Sequence, residues 1–251
     1  MLVEPHNHRI IGSDHGRHQL LLVGTAMTGA ETPASTSRSG GSAGRPARRD
    51  LFGAVLAWAF VIVLLLSEAA LTLPGETASD PAVASFYSQH RATIIVLQLI
   101  GLVAAGLLAG YAGRLRRFDA VASTAGIVTA ALACAPAVVT LVTALVADPA
   151  QPSTAGRWNA WEPRGDDLLF IGITVFAAAI ALRPRFPSLA RVLGAIVAVL
   201  CGTRLILEAT GHTRGAFDSL GPISFVVLMA YLGLLSAMGR LSVSDPSADG
   251  T

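Results

Sequence analysis

SDPAVASFYSQHR (residues 79–91) runs directly into ATIIVLQLIGLVAAGLLAGYAG (92–113), which ends in RLRRF (114–118). The middle segment is 22 residues without a charge. About twenty apolar residues suffice to cross a ~30 Å hydrocarbon core as a helix. The first segment has a helix start in Asp80, a capping carboxylate, and Pro81 at the first helical position. Val83, Phe86, Tyr87 and His90 then recur at i, i+3, i+4 and i+7, with Ser85, Ser88 and Gln89 facing the other way. That spacing predicts an amphipathic helix on the membrane surface, with Phe86 and Tyr87 at headgroup depth. Arg114, Arg116 and Arg117 close the stretch and mark its cytoplasmic end.

Composition agrees with a membrane medium. Of 251 residues, 53% are hydrophobic and 14% charged, against roughly a quarter charged in soluble domains. The apolar residues come in long blocks rather than with helical or strand period. A net charge of +2 gives no sign of a nucleic-acid partner. All 18 basic residues are Arg, so no lysine Schiff base and no P-loop lysine is available. Cys134 and Cys201 both lie inside apolar blocks and read as small buried residues.

Six blocks read as spans: Leu51–Leu73, Ala92–Gly113, Asp119–Ala147, Leu168–Leu182, Val192–Ala209 and Ser219–Gly239. Pro136, near the middle of the third, predicts a kink or tilt, with Thr140 and Thr143 available to satisfy freed backbone groups or line a cavity. The fourth is short, roughly 22 Å as a helix, which draws Asp166 and Asp167 toward the membrane or thins the bilayer. The loop before it carries Trp158 and Trp161 as interface anchors. Gly106 and Gly110 form a small-xxx-small pair, through which a homo-oligomer or another membrane protein could dock.

Residues 1–50 are expected to be a disordered cytoplasmic tail, 51–239 the six-span domain and 240–251 a short cytoplasmic tail. Four of the six histidines, His6, His8, His15 and His18, lie upstream of Met27, which looks like a natural start. No cysteine lies among them and no fold is evident around them, and no metal site or cofactor is assigned. Gly40-Gly41-Ser42-Ala43-Gly44 matches the nucleophile-elbow pattern without the strand and helix that its chemistry requires.

Orientation follows from arginine placement. With the N-terminus inside, inner segments hold Arg38, Arg45, Arg48, Arg49, Arg114, Arg116, Arg117, Arg183, Arg185, Arg191 and Arg240, and outer loops hold Arg91, Arg157, Arg164 and Arg214. The bias predicts both termini in the cytoplasm. It also requires the short fourth span, without which Arg183, Arg185 and Arg191 would lie outside.

Charges inside spans are functional-site candidates by default. Glu68 and Arg204 are each five residues from the outer end of their spans, and Gln98 enters the second span to a similar depth. Glu208, with a rim of His90, Arg91, Asp166, Asp167 and His212, lies just above. Two arrangements are open: an ion pair of Arg204 with Glu68 or Glu208 that pins helices, or an outward-facing polar pocket for a small solute or protons. An enzyme acting on a lipid-linked substrate would need Asp166, Asp167 or His212 as acid and base. No HExxH, CxxC or GxGxxG motif lies in the spans, so catalysis has no positive support and no catalytic residue is assigned.

The order of a first span, a loop leading to FYSQHR and a second span ending in RLRRF resembles uncharacterised multi-pass integral membrane proteins of high-GC actinobacteria, mainly through Asp80, Phe86, Tyr87, His90 and Arg91. The resemblance implies an all-α helix bundle in the bacterial cytoplasmic membrane. The expected role is non-enzymatic, in structure, interaction or sensing, with a small-solute or proton-coupled transporter as the alternative.

Overall fold

The computed structural model describes residues 50–69, 71–75, 78–212 and 215–241, without the side chains of 68 and 69. The histidine-bearing segment, Met27, the expected tails outside residues 50 and 240–241, Arg214 and the Glu68 side chain lie outside the described residues. Eight helices and no strand occur among the described ones: α1 Leu51–Ala69, α2 Asp80–Gln89, α3 Arg91–Leu115, α4 Ala120–Val146, α5 Pro152–Asn159, α6 Glu162–Leu182, α7 Ser188–Ala209 and α8 Phe217–Ala237. Five stretches are long and apolar enough to cross a membrane: α3, α4, α5 continued by α6, α7 and α8. The apolar run of α1, Leu51–Ser67, is shorter.

The helices neighbour one another in a closed circuit. α1 packs on α3, α3 on α4, α4 on α6, α6 on α7, α7 on α8, and α8 returns to α1. Aromatic rings fill the inside. Phe225 of α8 stands edge-on to Phe60 of α1 at 6.0 Å and to Phe176 of α6 at 6.3 Å. Phe60, Phe176 and Phe225 are buried, with Leu108, Leu228 and Leu232 in the same core. The centre is therefore a packed core of apolar side chains.

The seam between α4 and α6 depends on glycine. A methyl group on Gly165 would stand 2.9 Å from the Cα of Pro136, and one on Gly172 would stand 2.9 Å from the Cα of Thr129. The Thr129 hydroxyl lies 2.7 Å from the Gly172 carbonyl and 2.8 Å from that of Ala125, and donates across the seam. α4 stays helical through Pro136. The Thr143 hydroxyl bonds the Val139 carbonyl of its own helix at 2.9 Å. Gly106 faces nothing within 4 Å and Gly110 meets only the Leu56 side chain, so the close approaches within this chain lie elsewhere.

Several local expectations change. Ser79, not Asp80, is the N-cap of α2, and it makes no side-chain cap bond. Tyr87 does not lie on an exposed face. Together with Val83 and Ala84 it is buried in a second core with Ile94, Ala144, Ala147 and Ala155. The reason is α5, a helix inside the segment read as a loop, which covers the apolar face of α2. Burial pushes the Tyr87 hydroxyl well above the ordinary phenol range, the Glu162 charge adds to this, and nearby Thr140 partly offsets it. α6 starts six residues before the expected Leu168, at Glu162, with Pro163 in its first turn, so Asp166 and Asp167 belong to the helix. α1 ends at Ala69 and residues 71–75 are not helical, so the first apolar block is not helical to Leu73.

At the arginine-rich face, Asp50 closes the circuit. Its carboxylate accepts from Arg114 at 2.8 Å and from the Gly53 N–H at 3.1 Å, and its own N–H reaches the Ser236 carbonyl at 3.2 Å. Desolvation raises its pKa, but the Arg114 and Gly53 bonds and the Arg114 and Arg117 charges outweigh it. The carboxyl is held below its usual range.

Candidate functional site

At the opposite face, the ends of α6, α7 and α8 meet at one guanidinium. Arg204 lies in the last turns of α7 and is only 1% exposed. Its Nη1 donates to Asp167 Oδ1 at 2.5 Å and its Nε to Asp218 Oδ1 at 3.0 Å. Below it, the guanidinium carbon is 4.0 Å from the centroid of the Phe170 ring, a cation–π distance. Phe170 is held there by Gly221. A methyl group on Gly221 would meet the Phe170 ring at 3.0 Å and the Cys201 sulfur at 3.1 Å.

The local sequence explains why three charges tolerate this place. Asp218 lies in the first turn of α8, where the helix dipole favours negative charge, and Asp167 one turn further into α6. Arg204 is five residues before the end of α7, and its charge is met by the two carboxylates themselves. The two carboxylates are 27% and 48% exposed, so they keep part of their hydration while covering the guanidinium. Formally the trio carries one excess negative charge. Chemically it can clamp three helix ends together; as a route for protons or solute it would need a connected cavity.

The residues singled out in the sequence separate into groups. Asp167 and Arg204 come together. Glu208 is half-buried one turn further along α7, and Asp166 precedes Asp167. His212 is exposed, with Nδ1 3.0 Å from the Thr210 hydroxyl. Gln98 is on α3, which packs chiefly on α1 and α4. His90 places Nδ1 3.0 Å from the Phe86 carbonyl and stacks on the Phe86 ring at 4.6 Å. Arg91 donates to the Ala147 carbonyl and ties the start of α3 to the end of α4. Asp218 was not among the candidates, although it is 14 residues after Arg204. Its signal was an acid directly before the sixth apolar block.

Two shallow cavities among the described residues lie away from Arg204. One, of about 300 Å³, is lined by Asp119, Ala120, Val121, Arg183, Pro184 and Arg185. The other, of about 280 Å³, is lined by Ala78, Asp80, Val83, Gly156, Asn159, Ala160 and Pro163. No group of three or more His, Cys, Asp or Glu side chains among the described residues is placed to hold a metal ion. No protein-family model, curated protein or solved structure matches the chain.

Proposed function

We propose that this chain is a six-span protein of the bacterial cytoplasmic membrane, with both termini in the cytoplasm and a non-enzymatic role in structure, interaction or sensing. The sixth span is α1. Its 19 residues cover about 28 Å, close to the ~30 Å core, and its two faces meet α3 and α8. The orientation rests on the arginine distribution. In this reading the Arg204 clamp fixes the outer ends of α6, α7 and α8. A partner or second copy docks on the exposed side of α3 at Gly106 and Gly110.

The observation that carries the structural role is the burial of Arg204 between two carboxylates and the Phe170 ring. A transporter reading draws on the exposure of Asp218, the one carboxylate of the clamp open enough to meet an incoming solute or proton. Reconstitution of the full chain into liposomes separates the two. The structural role expects proton and small-solute flux equal to that of empty vesicles. Flux above that level, abolished by D218N with the fold intact, establishes transport and removes the structural reading.

A further inference from the structure

The arginine-rich face contains a cleft that the clamp does not explain. It lies between the turn joining α3 to α4, Arg116-Arg117-Phe118-Asp119, and the turn joining α6 to α7, Arg183-Pro184-Arg185-Phe186-Pro187. The two turns are stapled together. Phe118 and Phe186 stand edge to face with centroids 5.0 Å apart. Arg185 Nη1 donates to the Phe118 carbonyl at 3.0 Å. Asp119 caps α4 by accepting from the Ala122 N–H at 2.9 Å, and its other oxygen is 3.6 Å from Arg183 Nε. Each guanidinium is thus anchored by one nitrogen, and its other N–H groups are outside any hydrogen bond among the described residues.

The walls differ in character. Arg183 and Arg185 line the cleft with Asp119 as their one acidic neighbour, which leaves one net positive charge. Ala120, Val121 and Pro184 form the rest. Beside it, Leu182 is 79% exposed, and Val121 and Leu189 are exposed as well. A planar guanidinium presents paired N–H donors that match phosphate oxygens. An exposed apolar strip continuing from such a pair matches acyl chains. A soluble anion would use the first feature alone.

We propose that this cleft binds one anionic phospholipid from the adjoining leaflet. Arg183 and Arg185 hold its phosphate, and its chains run along Val121 and Leu182. Basic pockets between membrane helices recognise lipid headgroups by this combination of charge and depth. The proposal requires only that the helices lie in a bilayer, and it is independent of whether the chain transports anything.

The test uses the full chain in a neutral detergent, titrated with phosphatidylglycerol or with phosphatidylcholine of the same acyl chains, with retained lipid counted by native mass spectrometry. One phosphatidylglycerol should be retained with roughly tenfold preference, as expected when a pair of charge-assisted hydrogen bonds is selective. R183Q/R185Q should remove that preference. R116Q/R117Q deletes the same charge at two positions of the bounding turn that do not line the cleft, and should change retention several-fold less than R183Q/R185Q does. Equal retention of the two lipids by the unmodified chain overturns the proposal and needs no variant to fold. Equal losses in the two double variants overturn it in favour of diffuse surface charge. Displacement of the lipid by millimolar inorganic phosphate assigns the cleft to a soluble anion instead.

Discussion

Arg204 and Asp167 are 37 residues apart in sequence and 2.5 Å apart in space, joining the end of α7 to the start of α6. The guanidinium is almost fully buried while the carboxylate is partly hydrated. Removing the cation therefore hurts more than removing either anion.

R204M is expected to destabilise the bundle by about 3 kcal/mol, because it leaves two carboxylates facing an apolar wall. D167N should cost less, and D218N least, in the order of their increasing exposure. The triple variant R204M/D167N/D218N should recover most of the loss, since well-packed neutral groups can replace a buried ion cluster. Thermal denaturation in detergent reads all five proteins. A triple variant as unstable as R204M alone would show that the charges are not coupled.

The α4–α6 seam should resist even one added carbon. G165A and G172A each bring a methyl group against backbone and are expected to cost about 1–3 kcal/mol. G106A meets nothing within the chain and should leave the thermal midpoint of the monomer unchanged. If G106A lowers the oligomeric fraction in light scattering, the exposed side of α3 is a docking face.

Acid should weaken the contact at Asp50. Its carboxyl is held below the ordinary 3.8, so its contribution is complete above that value and is lost as pH falls through the lower folded value. Both partners are about a third exposed, and solvent screening keeps the effect below about 1 kcal/mol. The stability difference between the unmodified chain and D50N should be constant from pH 7 to 5 and shrink below pH 4. A difference that grows on acidification contradicts the assignment.

Y87A should act locally. It empties a fully buried position in the small core of α2 and α5, where losing a large aromatic costs about 3–5 kcal/mol. Hydrogen exchange should rise in α2 and α5 while Phe176 and its neighbours on α6 keep their protection. Uniform acceleration would mean that the two cores unfold together.

The apolar blocks made most of the helices legible, because crossing a bilayer demands a long uninterrupted run. α4 shows this best: Asp119 and Ala147, read as the ends of its span, flank the helix as its caps. α5 was not legible, since PSTAGRWN is short and mostly polar and its helicity comes from covering α2. The start of α6 was hidden for a related reason. Hydropathy stops at Asp166 and Asp167, but the helix does not: it starts at Glu162 with Pro163 in its first turn, and Arg204 pairs with one of that couple. Burial of Arg204 in a span pointed to a counter-ion. Its choice of Asp167 and Asp218 depends on the order of helices around the circuit, which no local pattern carries.

That circuit has a consequence for synthesis. α1 leaves the ribosome first, yet one of its two walls, α8, is made last. Until then the face bearing Ala57, which later meets Gly233 of α8, has no protein covering it. In the six-span reading proposed above, α1 waits in lipid while the five further spans are inserted. In that reading the contact that closes the circuit joins the oldest of these helices to the youngest, and the Asp50 N–H on the Ser236 carbonyl spans that join.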